Sequence, residues 1–443
     1  MRINVSSDDG SLVLGRVQVS ASQTPLLQLP ENERFFHTHV LGRPGSGKST
    51  LLLNLIIQDI EQGRGCAVID PHGELAEKIL AHFPAGRLND LVVLDPSDPD
   101  YVCSFNPLFN VPPALHGLVV SNVIELFRSI WPDGFGARME DIFRNAIFVL
   151  LEQPASHGVS LASVIRLLQD HRYRHSALRH VTNTEVKRFF ELDFNRQTAR
   201  DQTQICSPVF NKLRAFLSDP AMRDMFALAR PTLDIARALD SGRIIIANLA
   251  LGKIGSNNAR LLGSFLLSTL RFAAQARAQH PNTDFDGFHI YVDELQNFVT
   301  MDFIRAFPEV RKHRLSYVVA HQHRTQLPPA IVETIKETSG TMVAFSLGIE
   351  DAQFYAPMFQ PVSPHLLSSQ DIGNAYVRHA TRSGKINQLK IEDAQRRLTN
   401  CRDKALRISR EHFYLPRNKA RDIIARSERR HSEKYRPKLR SHH

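Results

Sequence analysis

Cysteine is scarce. Cys66, Cys103, Cys206 and Cys401 lie far apart in 443 residues, with no C-x-x-C pair and no histidine at ligand spacing. That excludes a disulfide framework, argues against a structural zinc site, and points to a reducing compartment. One tryptophan and 8% aromatics leave no bulk signal for a carbohydrate-binding or antibody-like surface. Long apolar runs are also missing, because the longest apolar-rich stretches, 51–57 and 244–251, fall far short of the roughly 20 residues that span a bilayer. Residues 1–10 are polar and lack the charged start and apolar run of a secretory signal. The chain is therefore expected in the cytoplasm, reaching the inner face of the plasma membrane only through partners.

The body of the chain has no excess of either charge. Lys and Arg number 55 against 45 Asp and Glu, but residues 401–443 hold 14 basic and 5 acidic side chains, which leaves 1–400 at 41 against 40. Whole-chain basicity is thus a weak pointer to nucleic acid. The basic end suits DNA, RNA, anionic lipid or an acidic partner, and equally a solvated helix.

What is present is ordinary globular composition, 42% hydrophobic and 23% charged, enough for two or three packed units. Residues 12–19 alternate apolar and polar side chains, as a short strand or hairpin does. From His37 onward, short β-rich runs alternate with helix-length segments: 37–41, 66–70, 91–95, 243–249, 288–293, 315–320, 341–347 and 375–378. Continuous runs such as Ile244-Ile-Ile-Ala predict strands buried on both faces, hence a mostly parallel sheet covered by helices. Between Asp95 and Arg243 the rhythm breaks into helical spacing, for example over 119–128, 139–151, 161–169 and 209–217. The expected layout is an N-terminal strand segment over 1–36, an α/β domain over 37–114 and 233–388, an inserted all-α domain over 115–232, and a basic helical tail over 389–443 in which Pro416 begins a last short helix.

Residues 42–49 read Gly-Arg-Pro-Gly-Ser-Gly-Lys-Ser, a full G-x-x-x-x-G-K-[ST] match after a predicted strand and before an apolar helix. Glycines let backbone N–H groups approach phosphates, and the helix N-terminus adds its positive end. Gly42, Arg43, Pro44, Gly45, Ser46, Gly47, Lys48, Ser49 and Thr50 form the candidate nucleotide site, with Lys48 on the β- and γ-phosphates and Ser49 on Mg²⁺. A second signal is Phe288-His-Ile-Tyr-Val-Asp293-Glu294, a buried strand ending in two carboxylates. Asp293 suits the shell of Mg²⁺, and Glu294 suits orienting or deprotonating the attacking water. The bland alternative is a helix N-cap with an adjacent acid.

Two more strand ends point to the same sheet edge, Asp70-Pro71-His72-Gly73 and Ala320-His321-Gln322. Gln322 suits a sensor of hydrolysis, while each is equally a turn or a locally satisfied polar group. Glu309-Val-Arg311-Lys312-His313-Arg314 is a basic cluster on a predicted helix end. It reads as a solvated face or as the source of an arginine, Arg311, presented to a neighbouring subunit's site.

Taken together these motifs resemble the HerA/FtsK superfamily of DNA-pumping ATPases, close to the TraG/TraD-type coupling proteins of conjugation and type IV secretion. The resemblance runs from about residue 12 to 430. It includes Leu14-Gly15-Arg16, His39-Val-Leu-Gly42, Ile69-Asp70-Pro71-His72-Gly73-Glu74, Phe105-Asn106-Pro107-Leu108, Gly136-Ala-Arg138-Met-Glu140, Asn248-Leu249-Ala-Leu-Gly252 and Leu262-Gly263-Ser264. Its most specific part is Tyr291-Val-Asp293-Glu294-Leu-Gln296-Asn297-Phe298, followed by Arg311-Lys312-x-Arg314-Leu and Ala320-His321-Gln322. The chain departs from membrane-anchored coupling proteins in having no transmembrane helices, and from HerA in having only about 35 residues before the P-loop. The resemblance implies a RecA-like P-loop NTPase using ATP and Mg²⁺, assembled as a homo-hexamer around single- or double-stranded DNA, with relaxase or secretion-channel partners. It raises Arg311 as a trans-acting finger and Gln322 as a sensor. Three rivals stand beside a DNA translocase: a secretion-platform ATPase that needs no nucleic acid, a DNA-processing ATPase paired with a separate nuclease, and a non-catalytic scaffold, against which Glu294 speaks.

Overall fold

The structure is a computed structural model describing residues 10–18, 25–280, 283–379, 386–392 and 401–434, with backbone only for 428–434. Val19 and residues 393–400 and 435–443, for which strand or helical tail is expected, lie outside the described residues. The strands are β1 (Leu12–Val17), β2 (Leu26–Leu29), β3 (Thr38–Leu41), β4 (Gly65–Asp70), β5 (Leu91–Leu94), β6 (Tyr101–Val102), β7 (Ile244–Asn248), β8 (Phe288–Val292), β9 (Leu315–His321), β10 (Thr341–Ala344), β11 (Asn374–His379), β12 (Ile386–Lys390) and β13 (Leu415–Pro416).

The chain divides into two compact units. The first comprises Met1–Leu94, Ala236–Gly252 and Ala273–Glu411. It carries a sheet of eleven described strands in the order β2-β1-β12-β11-β10-β3-β9-β8-β4-β7-β5. From β10 to β5 every neighbouring pair is parallel, and the other four strands add an antiparallel extension. Strands β3, β4, β5, β8, β9 and β10 are buried at every residue, the burial their continuous apolar runs require. The free edge of β5 is covered by the helix Arg402–Phe413, where buried Ser409 accepts the Val93 N–H on its Oγ at 2.9 Å. The β5 edge thus donates to a helix side chain rather than to a further strand.

Most expected strand ends lie within a residue of the observed ones, and the larger differences are these. Strand β10 ends at Ala344 rather than Leu347, because the Leu347 N–H turns to Leu367 O and leaves the ladder. Residues 389–390, expected in the helical tail, belong to β12, since Lys390 pairs with both Arg16 and Asn374. The last helix is not short. It spans Arg417–Lys434, with Pro416 just before it.

The second unit comprises Asp95–Ile235, Lys253–Phe272 and His412–His443, a wider set than 115–232. Its helices His116–Ile130, Ala137–Leu151 and Ala199–Leu217 bury Phe127, Phe143 and Phe216, whose rings meet edge to face. Phe226 and Phe265 close the cluster. The last helix joins this unit through Arg417, which donates to Asp224 Oδ2 at 2.8 Å, Asp98 O at 2.8 Å and Pro96 O at 2.9 Å. Among the described residues no helix is long and apolar enough to cross a membrane.

Candidate nucleotide and hydrolysis site

Sheet order decides which residues meet. Leu41 at the end of β3 is opposite His321 at the end of β9 and Ala344 at the end of β10. Val292 at the end of β8 is opposite Val319 of β9 and Ile69 of β4. Parallel strands emerge at one edge, so the P-loop, Gln322, Asp293, Glu294 and Asp70 are gathered there within the first unit.

After Leu41 the chain turns tightly and enters the helix Lys48–Glu61, whose N-cap Gly47 has φ +121°. Only glycine suits that position: a Cβ on Gly47 would lie 2.9 Å from the Phe345 ring, in a backbone region L-residues avoid. Arg43, Pro44 and Gly45 are exposed, Ser49 and Thr50 half-buried, Ser46 and Lys48 buried. Arg43 N–H donates to Ser346 O at 2.9 Å, tying the loop to the segment after β10. Lys48 Nζ donates to Gly42 O at 2.7 Å and Arg43 O at 3.1 Å. Burial lowers its pKa, and the charges of Glu294 and Asp293 offset part of that effect. An ammonium beside helix N–H groups that lack intrahelical acceptors forms an anion cradle.

The two carboxylates have separate surroundings. Strand β8 ends before both of them, at Val292. Asp293 keeps the ladder by donating its N–H to Ile69 O at 3.1 Å, and its Oδ1 accepts the Glu294 N–H at 3.0 Å. Glu294 then adopts φ +48°, ψ +56°, a left-handed conformation that costs a non-glycine residue roughly 1–3 kcal/mol. The turn sends its carboxylate toward two amides: Gln322 Nε2 donates to Oε1 at 2.5 Å and Gln296 Nε2 to Oε2 at 2.6 Å. Glu294 precedes the short 3-10 turn Leu295–Asn297 without capping it through its side chain. Glu294 thus stands at the N-cap position of that turn with its carboxylate bonded to the two amides instead.

Asp293 is pushed up to about 6, first by burial, then by the charges of Glu294 and Asp70, with Lys48 compensating only in part. A negative site short of positive charge suits a cation. No group of three His, Cys, Asp or Glu side chains able to hold a metal ion occurs among the described residues. Mg²⁺ commonly takes one or two protein oxygens and completes its shell with phosphate oxygens and water, so it does not require such a group. Asp70 has a structural task, accepting the N–H groups of His72 at 3.0 Å and Ala76 at 2.9 Å.

Arg311 is not at this edge. It lies in the 3-10 turn Val310–His313, before the first residue of β9, with its guanidinium 5.1 Å over the Phe36 ring. Seven residues of β9 put about 20 Å between Arg311 and the edge where Gln322 emerges.

Gln296 is a site residue to which sequence reasoning assigned no role, although its Glu-x-Gln spacing was visible. A buried network was also missed. Arg34 grips Asp59 through two bonds of 2.6 Å, and Tyr291 Oη donates to Asp59 Oδ2 at 2.5 Å. It pins the P-loop helix to strand β8, and these three side chains are at most 2% exposed.

A mostly parallel α/β sheet with a P-loop at its carboxyl edge and a carboxylate pair on the second strand over is the RecA-like P-loop NTPase fold. Among solved structures, the chain is similar to the bacterial conjugative coupling protein TrwB lacking its first 70 residues, unbound, at 17% identity and a TM-score of 0.58, covering 84% of this chain and 88% of that one. TrwB in complex with the ATP analogue ADPNP matches at 16% identity and a TM-score of 0.59, over 84% of this chain and 89% of that one. VirB4 of Thermoanaerobacter pseudethanolicus matches at 16% identity and a TM-score of 0.56, over 88% and 98%. No protein-family model and no curated protein sequence matches the chain. At these identities the likeness shows the fold, and it agrees with the resemblance drawn from the motifs.

Proposed function

We propose that the protein is an ATP-driven DNA translocase of the conjugative or type IV secretion coupling kind. The observation that carries the hydrolytic part is Glu294, held between the amides of Gln322 and Gln296 at the edge where the P-loop lies. Further support comes from TrwB, whose structures include complexes with ADPNP and with ADP and Mg²⁺.

In this reading the phosphates occupy the cradle of 42–50, and Lys48 exchanges its two carbonyl contacts for β- and γ-phosphate oxygens. Mg²⁺ bound by Ser49 and Asp293 supplies charge neutralisation for the phosphates. Glu294 takes a proton from the attacking water, the new P–O bond forms in line, and the bond from the γ-phosphorus to the bridging oxygen breaks to leave ADP and phosphate. Gln322, bonded to Glu294 and one residue past β9, senses the change. Arg311 serves the site of a neighbouring copy in a ring, a role its distance from its own P-loop supports. DNA contacts in the ring are to phosphates, hence independent of sequence and weakened by salt. Relaxase or secretion-channel proteins at the inner face of the membrane are the partners of this reading.

The test is steady-state ATP hydrolysis with and without single- and double-stranded DNA at low and moderate salt, with E294Q alongside. Stimulation by DNA, abolished by E294Q, is expected. Hydrolysis that needs Glu294 but ignores both forms of DNA would replace the translocase with a secretion-platform ATPase.

A further inference from the structure

Lys48, Ser49, Asp293, Glu294 and Gln322 deal with phosphates, cation and water, and none of them is suited to meet a base. Beside the P-loop, however, the chain holds a large apolar side chain open to solvent. Ile372 is 83% exposed, the most exposed of the large hydrophobic residues described. Its neighbour Gly373 donates its N–H to Ser46 O at 3.0 Å, and a Cβ on Gly47 would stand 3.3 Å from Gly373 Cα. The turn carrying Ile372 is fixed at several points. Gln370 Nε2 donates to Ala344 O at 3.1 Å, Asn374 N–H to Asp371 O at 3.0 Å, and Ile391 N–H to Gly373 O at 2.7 Å. Gly373 itself takes φ +81°, which lets the chain reverse there. Ile372 is therefore presented by a braced turn bonded to the phosphate loop.

Two more exposed apolar side chains, Ile349 at 66% and Leu366 at 47%, sit on segments bonded to the same rim. Ser346 O accepts the Arg43 N–H, Leu347 N–H donates to Leu367 O at 3.0 Å, and Ser346 Oγ to Ser368 O at 2.9 Å. Apolar area kept in water beside a phosphate site gains free energy when a flat apolar surface covers it. A nucleotide anchored by its phosphates at 42–50 carries such a surface on the same molecule.

We propose that Ile372 forms the floor of a base subsite, on which the face of the nucleotide's purine ring packs. This rests on the nucleotide-site reading above. An aliphatic floor touches the ring face and makes no hydrogen bond to its edge, so adenine and guanine are held alike.

The full chain is titrated with ADP, GDP and inorganic pyrophosphate in the presence of Mg²⁺, by displacement of a fluorescent nucleotide, for the wild type, I372A, I372L and K48A, with sedimentation velocity on each. I372A weakens ADP and GDP about tenfold each, as loss of a buried aliphatic side chain does, and leaves pyrophosphate unchanged. I372L stays within about twofold of wild type. Unchanged ADP affinity in I372A with normal pyrophosphate binding overturns the subsite and leaves the phosphate site standing. So does a change in assembly by I372A without a change in ADP affinity, which would give Ile372 to a contact with a second copy. Failure of the wild type to bind pyrophosphate, with K48A indistinguishable from it, overturns the phosphate site and the subsite with it.

Discussion

Acid should unfold the nucleotide-binding unit through its buried histidines, and His37 allows the size of the effect to be worked out. His37 is 1% exposed; its Nε2 lies 2.6 Å from Phe307 O and its Nδ1 accepts the Tyr317 N–H at 3.2 Å. Those partners require the neutral ring with the proton on Nε2, because a second proton on Nδ1 would face an N–H donor. Burial, with a smaller effect from the Arg311 charge, lowers its pKa to about 4, against an ordinary 6.5, while the Phe307 carbonyl pulls the other way. A depressed folded pKa means that the stability is complete above about 6.5 and is lost as pH falls toward 4. Between pH 7 and pH 5 the loss comes to about 2 kcal/mol for this one ring. His321 is lowered to about 4, and His39 and His289 well below their ordinary value, in each case chiefly by burial, so they add to the slope. The assay is urea unfolding followed at pH 7, 6 and 5 for wild type and H37N, since Asn tolerates the φ of +65° found at this position. H37N starts less stable at pH 7 because the Phe307 bond is lost, yet it falls less steeply with acid. Equal slopes for the two proteins would refute the assignment.

Other expectations follow from the same geometry. D59N leaves Arg34 charged and unpaired in the core and should destabilise the first unit by about 3–5 kcal/mol, read as a lower denaturant midpoint. Q296A and Q322A each release one oxygen of Glu294, so both should lower kcat at least tenfold with KM little changed, as expected when a positioned group is loosened. A normal kcat in either would remove that amide from the mechanism. If Arg311 completes a neighbour's site, E294Q and R311A are each inactive alone, but mixed in equal amounts they regain about a quarter of wild-type hydrolysis, because about one interface in four pairs an intact Glu294 with an intact Arg311. No recovery on mixing would place Arg311 outside the hydrolytic site.

Much of the fold was legible because buried parallel strands write themselves as uninterrupted apolar runs. Ile244-Ile-Ile-Ala needs cover on both faces and a partner at each edge, and all four residues are buried while β4 and β5 pair with β7 on either side. Strand β12 left no such mark, since Ile386-Asn-Gln-Leu-Lys390 mixes polar and apolar residues; its state comes from pairing with β11 and β1. The P-loop and the Asp293-Glu294 pair were legible as well, because their chemistry demands particular residues at fixed spacing. The grip on Glu294 was not. Residues two apart share a face in a strand, yet Glu294 meets Gln296 through a left-handed turn that only the surrounding structure imposes. Arg34, Asp59 and Tyr291 are far apart in sequence, and no local pattern announces that a bidentate pair will form between them.

Strand order explains why a single element carries so much of the proposed mechanism. Strand β9 lies between β3 and β8, so whatever follows His321 must emerge between the P-loop and the carboxylate pair, and Gln322 is the residue that does. The same strand begins just after Arg311, at the far edge. In the proposed ring, loss of the γ-phosphate changes what Gln322 and Glu294 touch at one end of β9, while Arg311 at the other end faces the site of the next copy. All seven residues of the strand are buried, with Leu315–Val319 paired to β8 and Val318–His321 paired to β3, which leaves it little freedom to absorb a displacement. A shift at Gln322 is then passed along about 20 Å of stiff backbone to Arg311. Coupling of this kind requires that Q322A, besides lowering kcat, also reduce the cooperativity of hydrolysis with ATP concentration, whereas Q296A, which lies off β9, should lower kcat alone.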